Sequence, residues 1–272
     1  GPVSEEVMDA VYSRAGGNPF FTEEMVRGVR ESGGLVIREG EWRLRSQEMD
    51  FVLPRTVQDF VLARLDALPG RLREVLQAAS IIGLRFESGL LGGILADSED
   101  LEARLDKLQE MELLYPAGGL PDGEWNFKDR LIQELTYKEM LRSRRAQLHE
   151  RAGTAIEGMG EAAIEENLDR LAFHFSRSDA LDRAASYLIR AGRRAYALLA
   201  LPQAAAKLEQ GLIFMESKGE EKGREFLSER IRVRGDLALA LLGLGAEERR
   251  IESLLGEMNE MDVRVDQTGD YE

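Results

Sequence analysis

The residue types best suited to chemistry in this sequence are carboxylates, and several stand in adjacent pairs: Glu23-Glu24, Glu165-Glu166 and Glu247-Glu248. Two carboxylates serve as acid and base only when both reach the same bond. Neighbours on a helix point about 100° apart, and each pair lies in a stretch of helical periodicity. They read as solvated faces rather than dyads. The two histidines, His149 and His174, are too few and too far apart in sequence for an ordinary zinc site. Each falls within an apolar helical repeat and reads as a packed or surface side chain. With no cysteine there is neither a thiolate ligand nor a disulfide, which fits a reducing, cytoplasmic setting. Arg142, Arg144, Arg145 and Arg151 make the densest basic patch. It could hold an anion, but pairing with local acids at a helix joint is the simpler reading. No catalytic residue and no metal ligand set is expected in this chain.

Phosphate chemistry is missing as well. No G-x-x-x-x-G-K-[ST] occurs; GLRFESGLLGG (83–93) lacks both the lysine and a preceding strand. There is no G-x-S-x-G elbow. The chain has 272 residues and a net charge of −14, a poor match to the dense negative charge of nucleic acid or an anionic membrane surface. The apolar run at 237–246 is too short to span a bilayer. No signal peptide is visible at the acidic start, and Gly1-Pro2 reads as a protease-cleavage scar on a piece cut from something longer.

The elements that would carry these residues are mostly helical. Residues 4–14 form a helix with Val7, Ala10 and Val11 on one face, stopped by Gly16-Gly17. Asn18 caps the next helix and Pro19 fits its first turn, where a missing N–H costs nothing. Phe21, Met25 and Val29 make its stripe. Residues 35–45 read as a hairpin turning at Glu39-Gly40. Thr56 caps a helix carrying Val57, Phe60, Val61, Leu65 and Leu68; another carries Leu72, Val75, Leu76, Ala79 and Ile82. A short helix over 87–95 is followed by one capped by Asp97 or Ser98, with Leu101, Leu105 and Leu108 facing in. Residues 113–127 then make two short strands about a Gly/Pro-rich turn, with Trp125 and Phe127 alternating. Helices followed by a two-stranded wing give the order of a winged helix-turn-helix.

From 129 onward only helices are expected: 129–142, 143–158, 161–177, 181–200, 203–217, 223–243 and 247–261, with short, antiparallel connections. Leu188, Ala191, Gly192, Ala195, Ala204, Leu208 and Gly211 sit at the offsets of a tetratricopeptide repeat, where small residues let two helices pack closely. Glu216 stands where that motif favours proline. The next pair, with Gly235 and Ala238, fits loosely, and VDQTGDYE reads as a polar tail. The expected fold class is mostly α with small β-hairpins: a helical lid over 3–50, a winged helix over 51–142, and tetratricopeptide-like repeats over 143–265.

Several blocks, in order, resemble one family. GGNPFFTEEMVRGVRESGGL, then EWRL, then VLPRTVQDFVLARLDALPGRLREVLQAASIIGLRF, then FKDRLIQELTYKEMLRSRRAQLHERAG look like the segment after the nucleotide-binding core of STAND-class signalling ATPases. The nearest likeness is to bacterial AAA-type modules fused to class III adenylate/guanylate cyclases, to protein kinases or to large transcriptional activators. It covers about 4–217. The resemblance implies that Gly17, Asn18 and Pro19 lie at the edge of a nucleotide pocket, with the proline against ADP and Phe20 and Phe21 anchoring the lid helix. It also implies a parent protein that binds ATP or ADP with Mg, whose phosphate loop and magnesium-binding acid lie outside this chain. Where the family usually carries a histidine, two residues after the wing phenylalanine, this chain has Asp129. A carboxylate there would repel a phosphate instead of sensing it.

Three functions compete. The first is a regulatory and protein-interaction fragment of such an ATPase, without enzyme activity of its own. Its helical-repeat surface would bind a protein partner or signal ligand, and it would work with an upstream nucleotide-binding domain. The second is a DNA-binding winged-helix regulator, but on the expected recognition helix Arg104 and Lys107 are outnumbered by Glu99, Asp100, Glu102, Asp106, Glu110 and Glu112, where DNA readers place Arg and Lys. Nucleic acid and membrane are therefore not expected partners. The third is a free-standing helical adaptor.

Overall fold

The computed structural model describes residues 2–15, 17, 19–31, 34–38, 40–45, 57–118, 123–217, 224–245 and 248–268. The fold is mostly α with small antiparallel β elements. The chain divides into two compact units, 1–86 with 99–139 and 87–98 with 140–272.

In the first unit, α1 (Glu5–Ala15) and α2 (Pro19–Glu31) pack as a pair. Val7 and Val11 from one, and Met25 and Val29 from the other, are buried at the helical spacing that the sequence shows. Strands β1 (Leu35–Arg38) and β2 (Glu41–Leu44) form the expected hairpin, with Ile37 opposite Trp42 and Gly40 at φ +82 in the turn. The start of the chain joins it: Val3 bridges Trp42 in parallel, and the Trp42 N–H donates to the Pro2 carbonyl at 2.9 Å. The cap expected at Thr56 lies outside the described residues. Helix α3 (Val57–Asp66) buries Phe60, Val61 and Leu65, and α4 (Gly70–Ile82) buries Leu72, Val75, Leu76 and Ala79.

A short strand that the sequence pattern did not announce, β3 (Arg85–Glu87), leads into α5 (Ser88–Ile94) of the second unit. Helix α6 (Leu101–Glu110) follows, then β4 (Leu114–Pro116), β5 (Glu124–Phe127) and α7 (Arg130–Glu139). The sheet order is β3-β5-β4. Leu114 pairs with Phe127 and Pro116 with Trp125, and Phe127 meets Phe86 edge-on at 5.9 Å. Three residues are too few to show a period-2 pattern, so β3 is legible only through its partner strand. Helix α6 also starts later than expected. Its cap is Asp100, at φ +54 and without a side-chain cap bond, rather than Asp97 or Ser98.

The second unit joins α5 to α8 (Arg142–Glu157) and continues through α9 (Glu161–Glu166), α10 (Leu168–Phe175), α11 (Leu181–Ala197), α12 (Leu201–Ser217), α13 (Arg224–Gly243) and α14 (Glu248–Thr268). The single helix expected over 161–177 is two. Asn167 breaks it, with φ −109 and a side-chain amide that donates to the Ala163 carbonyl at 2.9 Å. Asparagine competes with the helix ladder in this way. The last helix runs to Thr268, beyond the expected end at 261, because residues 262–268 hold no Gly or Pro to stop it.

Close helix contact in this unit depends on glycine. A Cβ on Gly192 would lie 2.8 Å from Leu208 Cγ, and one on Gly211 2.9 Å from Ile189 Cγ1. Ala204 and Leu208 are fully buried between α11 and α12, so the small residues that the repeat pattern singles out sit where two helices touch. Gly153 is tighter still: its Cβ would fall 2.5 Å from the Phe175 ring.

Candidate functional site

Gly17 has φ +80, a conformation natural to glycine. Pro19 opens α2 with its ring exposed. Asn18 and the side chains of Phe20 and Phe21 lie outside the described residues. Gly17 and Pro19 thus make a sharp, solvent-facing entry into a helix whose opposite face is buried.

Asp129 has a structural task. Its Oδ1 accepts the Ile132 N–H at 2.9 Å, which caps α7. Its Oδ2 is buried with no hydrogen-bond partner among the described residues. A histidine at this position would cap the helix less well.

Next to it lies an ionic junction that gathers four charged side chains of the described residues. Arg27, only 8% exposed, pairs with Glu23 at 3.0 Å and also with Glu112. Lys128 reaches Glu112 at 3.0 Å and Glu23 at 3.6 Å. Arg64 donates to the Met111 carbonyl at 2.5 Å. The Lys128 hydrogen bond, reinforced by the charges of Arg27, Lys128 and Arg64, holds the Glu112 carboxyl below its ordinary range. Helix α2, the end of α6 and the start of α7 are thereby tied at one point. Spacing could not have revealed this, because the partners are distant in sequence; only Glu23 and Arg27, one turn apart on α2, show the i,i+4 signal.

Helix α6 shows more carboxylates than cations to solvent. Arg104 is 8% exposed and turns inward to donate to the Glu99 carbonyl. Lys107 pairs with Glu110 at 3.3 Å. The side chains that α6 shows to solvent include Glu102, Asp106 and Glu110.

In the second unit the structure joins the two histidines. His149 and His174 are buried on α8 and α10, with their Nδ1 atoms 3.0 Å apart. One Nδ1 must donate and the other accept, so with both rings neutral they are opposite tautomers. Burial first, then the His174 ring and the charges of Arg177 and Arg145, push His149 down to about 3. Burial, then Arg170 and Arg177, push His174 down to about 4. Two ligands do not make a structural zinc site, and no group of three or more candidate ligands occurs among the described residues. Of the basic patch, Arg151 helps line a shallow cleft with Gly93, Gln147, Glu150 and Thr154.

A second cleft, of about 270 Å³, opens between α11, α12 and α13. Ala185, Ile189, Met215 and Phe226 line its apolar part; Asp182, Arg190, Arg193 and Glu229 are its charges. Arg190 pairs with Glu161 at 3.1 Å and with Glu165, and Arg193 with Glu229 at 3.0 Å and Asp236 at 2.7 Å. The acid pair Glu165-Glu166 therefore works as a surface: one member holds an arginine while the other faces solvent. Both arginines of this cleft are thus held by carboxylate partners. Outside this cleft, Tyr187 stacks on Phe175 and donates to Glu157 of α8 at 2.7 Å, and burial with that bond raises its phenol to about 12.

Over 248 residues the chain is 27% identical to an uncharacterized protein of Rhizobium meliloti (strain 1021). The match takes in 90% of this chain and 24% of that protein, so the chain spans about a quarter of its relative's length. No family model matches the chain, and no solved structure matches it significantly. No helix among the described residues is long and apolar enough to cross a membrane.

Proposed function

We propose that this chain is the regulatory, protein-interaction segment of a larger STAND-type signalling ATPase. The observation that carries the reading is the order of elements. A glycine–proline helix entry at α2 is followed by α4, β3, α5, α6, β4 and β5 with β3 paired to β5, and then by helix pairs closed on Gly192 and Gly211. The first part supports a lid and winged helix, the second a tetratricopeptide-like array whose stacked pairs offer an extended binding face. Gly17 and Pro19 would border nucleotide bound by a core elsewhere in the parent protein, which would supply the phosphate loop and Mg site. The cleft on α11–α13 would receive the protein partner or signal. The ion junction at Glu112 would carry lid position into the winged helix, since both ends of a coupling need a physical link.

The test uses the full-length parent. Its reading frame should encode a strand followed by G-x-x-x-x-G-K-[ST] before the lid, and Pro19→Ala should speed ADP release with the fold intact. A parent without a phosphate loop would leave the free-standing adaptor. The DNA-regulator alternative predicts salt-sensitive duplex binding in anisotropy; the buried Arg104 and the acidic face of α6 oppose it.

A further inference from the structure

Several arginines of the second unit reach across to carboxylates of other helices. Arg183 meets Glu157, Arg190 meets Glu161, Arg193 meets Glu229 and Asp236, and Arg230 meets Glu216. Arg170 and Arg177 do not. Arg170 donates to the Asn167 side-chain oxygen at 3.1 Å. Arg177 donates to the Phe173 carbonyl at 3.3 Å and the Ser176 hydroxyl at 3.5 Å. These acceptors are neutral, and neither arginine has an ion pair among the described residues. Acids close to them in sequence or on the facing helix are turned elsewhere. Asp169 of α10 pairs with Lys207 of α12, and Glu150 of α8 lines the shallow cleft with Gln147 and Thr154.

The two arginines are exposed, and Phe173, 43% exposed, stands between them in the chain. The Arg177 guanidinium lies over that ring, 3.8 Å from its centroid. A guanidinium placed so keeps its outer N–H donors for another acceptor. Behind Phe173 lie the buried rings of His149 and His174, with centroids 5.7 and 5.3 Å from its own. The charged side chains that act on these rings are all arginines: Arg145 and Arg177 on His149, Arg170 and Arg177 on His174. Three positive charges thus gather about one buried, neutral pair. Walls of low polarity focus such a field outward. This happens in a chain whose 50 acids outnumber its 36 lysines and arginines, so a carboxylate for Arg170 and Arg177 was not in short supply.

We propose that Arg170 and Arg177, on either side of Phe173, bind a phosphoryl group. The planar fork of arginine matches phosphate oxygens two at a time. A phosphoryl group carries close to two negative charges at neutral pH, which answers two guanidinia where a single carboxylate answers one. The net charge of −14 does not decide the matter at contact, because charges beyond about 8 Å are largely screened at physiological ionic strength. A phosphorylated side chain of another protein and free inorganic phosphate present the same oxygens. None of these residues lines the cleft on α11–α13.

The experiment follows the ring signals of His149 and His174 by nuclear magnetic resonance at neutral pH. One arm titrates the chain with inorganic phosphate, the other with an otherwise uncharged peptide carrying one phosphoserine. The expected result is a saturable shift of both rings with a dissociation constant of about a millimolar or tighter. Arg170→Gln and Arg177→Gln should each weaken binding by roughly tenfold, with the helical circular dichroism unchanged. Arg177→Lys should recover part of the loss, since it keeps the charge and not the fork. Arg249→Gln, at an exposed arginine of α14, removes the same charge and should leave binding intact. Tighter binding of the peptide names a phosphorylated segment as the source, and equal binding names the free ion. No saturable shift in either arm overturns the proposal. So does a loss in Arg249→Gln as large as that in Arg177→Gln, or a glutamate peptide that binds as tightly as the phosphoserine one. None of these outcomes depends on a phosphate loop in the parent, so this inference and the ATPase reading fail separately.

Discussion

Helices α6 and α11 end in the same turn and meet different surroundings. In both, the left-handed position is filled by a residue other than glycine: Glu112 at φ +53 and Leu199 at φ +59. After α6, the Leu113 N–H reaches back to the Leu108 carbonyl at 2.9 Å, as Ala200 does to Ala195 after α11. Glu112 is compensated within the chain, because Lys128 and Arg27 converge on its carboxylate. Leu199 has no such compensation among the described residues and is 81% exposed. A strained turn at Glu112 thus serves to aim a charge at an internal junction, whereas one at Leu199 leaves a leucine in solvent. The second unit has ion pairs of its own, at Arg193 and Arg234 among others, and adds to them a helix contact closed on small residues at Gly192 and Gly211.

Acid should separate them most strongly. His149 and His174 are near pKa 3 and 4 when folded, below the unfolded value of about 6.5. The unfolded chain therefore binds more protons between these values, and their contribution, whole above about pH 6.5, is lost as pH falls toward 4. Hydrogen exchange at about pH 5 should show α8 and α10 loosened by several kcal/mol relative to about pH 7. His174→Gln should flatten that dependence, and an unchanged slope would remove the pair from the account.

Gly153→Ala comes next. The new methyl collides with a fully buried Phe175 ring, an overpacking that costs about 1–3 kcal/mol. Chemical denaturation followed in the second unit should show the loss at any salt concentration. Glu112→Gln should cost the first unit about 1 kcal/mol, less than a buried pair because Glu112 is half exposed. This loss should shrink in high salt, and a salt-independent effect would contradict the ionic reading. The smallest change has the opposite sign: Leu199→Gly should stabilise the chain by about 1 kcal/mol. Glu112→Gly, given the same backbone relief, should not, because it also removes the anion that Arg27 and Lys128 share.

Much of the helical framework was legible because apolar residues recur at helical spacing and Gly or Pro marks many of the ends. Met25 and Val29, Leu72 and Val75, and Leu105 and Leu108 are buried as their spacing requires. Gly192 and Gly211 were legible as contact points for the same reason: a repeat fixes which positions must be small. In the candidate site, the glycine–proline entry at Gly17 and Pro19 could be read locally. The capping role of Asp129 could have been, since a carboxylate three residues before a helical N–H is a local signal.

What the sequence determined alone is therefore local: helix type, many breaks, the hairpin at Gly40, and a net charge of −14. What only the tertiary structure decided is every pairing between distant segments. His149 meets His174, Arg27 meets Glu112, and β3 finds β5. Periodicity says which face of an element is buried, but not which element covers it. That choice is made by packing, where a single methyl on Gly243 or Gly153 would already collide with its neighbour.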